Sequence, residues 1–196
     1  MKTSFAFDSG NLGLDFLNTT KGSGGAVREL LVSPADLLAW LREAEILTSR
    51  EEALLGQSPP DARTLLAEAL RLRSEIHAAV AAFSQGHEIP ETSLLAMDRM
   101  LRTRRRSQRL TWDSGRLSLE EAACPGPVHA VLAPVAEAGA RLLMEGPPAR
   151  LRRCSAVDCA WWFLDTSKNG RRKWCSMARC GNRAKVAAHY RRQHRV

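Results

Sequence analysis

Four cysteines near the C-terminal end are spaced as two close pairs, Cys154-x4-Cys159 and Cys175-x4-Cys180, with fifteen residues between the pairs. Each pair can offer two thiolates from one tight turn, and the intervening segment can bring the turns together, the ligand logic of a tetrahedral zinc site. Disulfides are the competing use of cysteine. The opening residues Met1-Lys2-Thr3-Ser4-Phe5-Ala6-Phe7-Asp8 carry no apolar stretch of secretory-signal length, so the expected compartment is the cytoplasm, where disulfides are rare. One Zn²⁺ per chain, held by Cys154, Cys159, Cys175 and Cys180, is therefore expected. Zinc supplies about 10–16 kcal/mol of folding energy in isolated finger peptides, which explains how a short segment poor in aliphatic residues can fold. Cys124 stands alone in Ala-Ala-Cys-Pro and is expected to be a small buried hydrophobe.

The same segment carries the charge. From Arg150 to Val196 there are 13 Lys and Arg against Asp158 and Asp165, a net of +11, while the first 149 residues hold 16 basic and 19 acidic residues, a net of −3. Zinc bound to four thiolates lowers the module's charge by two and leaves it strongly basic. A polyanion, DNA first, is the expected partner. A short helix can enter the major groove, where Arg or Lys reads guanine and Asn reads adenine. Asn182 and Arg183 are candidates for base contacts; Arg171, Arg172, Lys173, Arg179, Lys185 and Arg192 are candidates for DNA contact more generally. Lys185, His189 and Arg192 fall at i, i+4 and i+7 and share a face. Asn182 could equally cap the helix and Arg183 could brace the zinc module. Trp161, Trp162 and Trp174 read as core rather than stacking platforms. The Arg102–Arg109 cluster reads as a solvated helix end. No catalytic constellation is present, so the chain is not expected to be an enzyme. A nuclease of the His-Asn-His kind would have to use Asp165 with His189, a poor pair. A protein- or RNA-binding zinc adaptor is the main alternative to DNA binding, and a redox switch built on the thiolates is another.

These residues need elements to hold them. At 196 residues the chain has room for one ordinary domain and a small appended module, and no stretch approaches the ~18 apolar residues of a membrane helix. The fold class expected is mainly α: a helical N-terminal domain with a small β-hairpin over residues 1–148, and a C-terminal treble-clef zinc finger over 149–196. Asn11 to Asn18 fits a short helix or a strand equally, and Lys21–Gly25 reads as a loop. Ser33-Pro34-Ala35-Asp36 starts a helix through Leu37, Trp40, Leu41 and Ile46, and Thr48–Glu52 caps a further short one. Leu65, Leu66, Ala69, Leu72, Ile76, Val80 and Phe83 mark a long amphipathic helix over 61–83. Helices are expected near 91–104 and 127–144, with a hairpin over 109–119 between them. Gly146-Pro147-Pro148 marks the boundary. In the finger, 161–165 and 171–174 read as two strands of a hairpin turning at Asn169-Gly170, and a helix begins near Ser176 or Asn182. Asp15 and Asn18 could hold a small ligand or satisfy buried backbone groups.

Cys154-x4-Cys159, Phe163-Leu164-Asp165-x-Ser167 and Arg172-x-Trp174-Cys175-Ser176-Met177-x-x-Cys180-Gly181-Asn182-Arg183-x-Lys185 resemble the CGNR-type zinc finger. Leu14-Asp15-Phe16-Leu17-Asn18-Thr19, followed by Asp36-Leu37-Leu38-x-Trp40-Leu41, resembles the ABATE domain. The resemblance implies a bacterial protein pairing the two, of a kind described as stress-induced transcription regulators. It implies a helical domain that senses a small-molecule ligand or forms a homodimer, and a finger that binds DNA.

Overall fold

The computed structural model describes residues 5–23, 26–47, 53, 59–103, 106–113, 116–123 and 128–193. Helix α1, Leu12–Leu17, resolves the ambiguity of its apolar spacing through a cap: the Asn11 side chain accepts from the amides of Gly13 (2.8 Å) and Leu14 (3.3 Å). It is followed by strands β1, Thr20–Ser23, and β2, Ala26–Glu29, paired antiparallel with Ser23 opposite Ala26. Lys21–Ser23, expected to be loop, is thus strand.

Helix α2, Pro34–Glu43, starts as its sequence dictates, with a capping box between Ser33 and Asp36 and Pro34 in the first turn. It ends before Ile46, with Glu45 in the left-handed region (φ 56°). The helix start expected over Thr48–Glu52 lies outside the described residues. Helix α3, Pro59–Ser84, is the central element, and Leu65, Ala69, Leu72, Ile76, Ala79 and Val80 form its buried stripe. Helix α4, Glu91–Arg102, packs on α3, where Thr92 and Ser93 hydroxyls donate to Glu75 at 3.0 and 2.9 Å and Arg99 pairs with Glu68. Arg102 pairs with Asp98 on the same helix at 2.6 Å; Arg104 and Arg105 lie outside the described residues. Strands β3, Arg106–Asp113, and β4, Arg116–Ala123, form the expected hairpin, longer than expected, with Leu110 opposite Leu119. Cys124 lies outside the described residues. A 3₁₀ turn, Val128–Leu132, leads into helix α5, Ala133–Glu145.

The last segment departs most from expectation. Strand β6, Trp162–Leu164, does not pair with 171–174. It pairs antiparallel with β5, Leu151–Arg153, placing Leu151 opposite Leu164 and Arg153 opposite Trp162. Residues 171–174 are irregular because their backbone groups have other partners: the Arg172 amide donates to the Asp165 carboxylate (2.9 Å) and the Lys173 carbonyl accepts from Ser155 (2.9 Å). A wide single turn, Met177–Gly181, then leads into helix α6, Asn182–Gln193.

Helices α1, α2, α3 and α5 share one apolar core around Trp40 and Phe16, and Leu151 and Trp162 belong to the same core. Helix α1 meets α5 at two glycines: a Cβ at Gly13 would sit 2.9 Å from the Gly139 nitrogen and 3.0 Å from its Cα. Backbone cannot yield as a side chain can, so Gly13→Ala is expected to cost about 1–3 kcal/mol of stability. A Cβ at Gly139 would meet Ile76 at 3.5 Å, ordinary contact, so Gly139→Ala should be tolerated. Chemical denaturation of the two variants checks this asymmetry.

Candidate metal centre

The first cysteine pair is set by a tight reversal in which the Cys154 amide donates to the Trp161 carbonyl (2.8 Å) and the Cys159 amide to the Ala156 carbonyl (3.0 Å). The third ligand is drawn in by its own backbone: the Cys175 amide points at the Cys154 sulfur, 3.4 Å away. The fourth rides on the wide turn, where the amides of Cys180 and Gly181 both donate to the Ser176 carbonyl at 3.0 Å. Gly181 is confined there, since a Cβ would approach Met177 Sδ to 2.5 Å and Trp174 Cδ1 to 3.2 Å.

All four sulfurs lie within 4.8 Å of one another, with Cys159 to Cys175 at 3.8 Å and Cys175 to Cys180 at 3.6 Å. Four sulfurs bonded tetrahedrally at about 2.3 Å are separated by about 3.8 Å, so this arrangement fits one zinc ion. The chemistry of the donors agrees. As bare thiols they oppose one another: Cys159, accepting a hydrogen bond from Cys175, is lowered to about 5, Cys175 is pushed up as that donor, and burial raises Cys180 to about 11. A dication at the centre is what allows all four to ionise together.

Around the sulfurs stand Trp161, Phe163 and Trp174. Arg172, a candidate for DNA contact, lies over the Phe163 ring (4.7 Å to its centroid) and donates to the carbonyls of Trp174 (2.8 Å) and Cys175. Arg179, also expected at the DNA, stacks over Trp161 at 4.6 Å and pairs with Asp8. Arg183 brings a guanidinium nitrogen to 3.7 Å from the Cys180 sulfur. Arg171, Lys173, Asn182, Lys185 and Arg192 are exposed. His189 is exposed as well, and His194 lies outside the described residues.

The turn before Cys175 is organised by Asp165. Its carboxylate accepts from the Ser167 amide (3.0 Å), the Ser167 hydroxyl and the Arg172 amide. Burial pushes this carboxyl up, but the bonds from Ser167 and Arg172 and the nearby Arg150 charge outweigh it and hold it below the usual carboxylate range. Arg150 clamps the other side, donating to the carbonyls of Asp165 (3.1 Å) and Ser167 (2.5 Å). Gly170 takes the positive φ (61°) that the Asn169-Gly170 turn requires. The Asp-x-Ser spacing was the available signal for this Asx-type turn; nothing local marks the reach of Arg150 or Arg172.

Asp15 and Asn18, which the sequence leaves open to either a ligand or buried backbone groups, are buried and paired with backbone groups. Asp15 accepts from the Ser9 amide at 3.0 Å, and its carboxyl is raised by burial. Asn18 works across the seam: its amide donates to the Trp162 carbonyl (2.8 Å) and its oxygen accepts from the Trp162 amide (3.0 Å). The Leu164 amide donates to the Ser9 carbonyl (3.1 Å), and the Trp161 indole N–H reaches the Thr20 carbonyl.

A family model for ABATE, described as "putative stress-induced transcription regulator", matches residues 10–146. The chain belongs to the ABATE family. A second model, the CGNR zinc finger, matches residues 150–193 and contains all four cysteines. No curated protein matches the chain. In this ABATE protein the two matched regions meet on either side of Gly146-Pro147-Pro148 in sequence, yet they share β6 in space.

Two outcomes follow. Purified protein should hold about one zinc per chain, lost in Cys175→Ser and progressively released as pH falls, because protons compete for the thiolates; elemental analysis across a pH series reads both. The Asn18→Ala variant should lose stability by about 1–3 kcal/mol for each Trp162 backbone group left unpaired, while retaining zinc.

Proposed function

We propose that this chain is a transcription regulator that binds duplex DNA through its zinc finger and is not an enzyme. The observation that carries the reading is helix α6, which buries none of its residues. At 3.6 residues per turn, Asn182, Lys185, His189 and Arg192 stand on one outward face, and no carboxylate side chain occurs after Asp165 in the sequence. Such a helix matches a major groove about 12 Å wide. Asn182 and Lys185 then become the base-reading candidates, since Arg183 is turned toward the Cys180 sulfur. Arg171 and Lys173, both exposed, suit phosphate, whose contacts position without specifying. Knuckle, strand and a ligand-bearing turn leading into helix α6 support the treble-clef description of the module, with β5 in the place expected for residues 171–174. The helical body is left the task of sensing or self-association.

Nuclease chemistry is disfavoured by the use of Asp165: its carboxylate is committed to Ser167 and the Arg172 amide inside a turn.

The test is selection of a preferred duplex by zinc-loaded protein, then affinity against salt. Lys173→Ala and Arg171→Ala should weaken binding to all duplexes and each reduce the slope of log affinity against log salt by about one. Asn182→Ala and Lys185→Ala should cost about 1–3 kcal/mol on the preferred duplex and less on random sequence. If no variant alters DNA binding while zinc is retained, the module serves a protein or RNA partner, for which exposed Val186 and Tyr190 beside the cationic face provide apolar surface.

A further inference from the structure

The seam between α3 and the finger strands forms a cleft of about 350 Å³, open to solvent on one side where Ser74, His77 and Arg153 are exposed. One wall is a single face of α3, where Leu70, Arg73, Ser74 and His77 recur at helical spacing; the other is Arg153 of β5 and Trp162 of β6. The size is that of a site for a small organic ligand.

The charges in the cavity are unequal in kind. Arg73 is already answered: it donates to Glu29 (2.8 Å), which it holds ionised against burial, and to the Thr19 hydroxyl (2.6 Å). Arg153 has no carboxylate partner among the described residues, and its guanidinium lies 5.9 Å from the Trp162 ring centroid. His77 stands edge-on to Trp162 at 6.1 Å. Partial burial, then the charges of Arg153 and Arg73, lower its pKa, which favours the neutral imidazole with one donor and one acceptor. The indole N–H of Trp162 is buried with no acceptor among the described residues.

We propose that this cavity binds a small organic carboxylate with an apolar body, Arg153 acting as counter-ion, Ser74 and His77 as hydrogen-bond partners, and Leu17 and Leu70 as the apolar wall. One cation without a carboxylate partner matches one negative charge, because Arg73, the other cation of the cleft, is already held by Glu29. The occupant would touch α3 on one side and, on the other, the residue immediately before zinc ligand Cys154, so it would tie the helical body to the finger.

The experiment uses full-length zinc-loaded protein and no DNA, so it stands or falls apart from the DNA-binding reading. Benzoate is titrated by calorimetry, with benzyl alcohol and inorganic phosphate as comparisons, and the His77 ring is followed by NMR. Expected are one saturable benzoate site per chain, at least tenfold weaker binding of both comparison compounds, and movement of the His77 resonances. Arg153→Gln, at an exposed position, should weaken benzoate at least tenfold with zinc content and melting temperature unchanged, and Arg153→Lys should recover most of the loss. The proposal is overturned if benzoate does not saturate, if phosphate binds as tightly, if His77 does not respond, or if both Arg153 variants bind like the parent.

Discussion

Strand side chains alternate between faces, and in the segment Trp161–Leu164 both faces are claimed. Trp161 and Phe163 lie against the thiolate cluster, while Trp162 and Leu164 belong to the core of the helical body. A stretch of four residues is therefore the common wall of two hydrophobic clusters. Its backbone is fixed on both edges as well, by the β5 ladder and by Asn18 and Ser9. Any free energy that metal binding gives to the folded finger is then shared with the helices, because ligands that bind only the native state stabilise whatever unfolds with their site. The Gly146-Pro147-Pro148 boundary separates two sequence modules whose packing is continuous.

The positive charge of the finger divides by use. Arg150 and Arg172 serve as clamps on backbone carbonyls, Arg183 faces a sulfur ligand, and Arg179 lies over Trp161 with Asp8 beside it. A metal bound by four thiolates carries a net charge of −2, and cations of this kind around it offset that charge and orient the ligands. The net charge counted from sequence thus overstates what a polyanion would meet. Among the described residues, cations exposed to meet it include those on the outward face of α6, Arg171 and Lys173.

The helices and the ligand set were legible because their signals are local. The Leu65 to Val80 spacing, the Ser33–Asp36 capping box and the paired cysteines each declare themselves within a few residues. The partner of β6 was not. Asn-Gly between two short apolar and basic runs is a fair hairpin pattern, but Asp165 captures the Arg172 amide and removes 171–174 from the ladder. Asn18 is the clearest case of a residue whose role cannot be read locally: its two bonds to Trp162 span 144 positions. The intramolecular partners of Arg172 and Arg179 are hidden for the same reason, since sequence gives their charge and not the carbonyl, ring or carboxylate that meets it.

Helix α6 shows how far the metal's influence extends. It has twelve residues, none buried, and isolated helices shorter than about 12–15 residues are marginal in water. Only Ala184, Ala187 and Ala188 are half-buried, so much of its order rests on its root. There Cys180 is held among the other sulfurs, and the Ser176 carbonyl takes both the Cys180 and Gly181 amides, which sets the direction in which the chain enters the helix. Arg183 adds a second tie to the same sulfur one turn on. The surface that faces outward and the core that faces inward thus depend on one cluster of thiolates, reached from the first through Cys180 and from the second through Phe163 and Trp161.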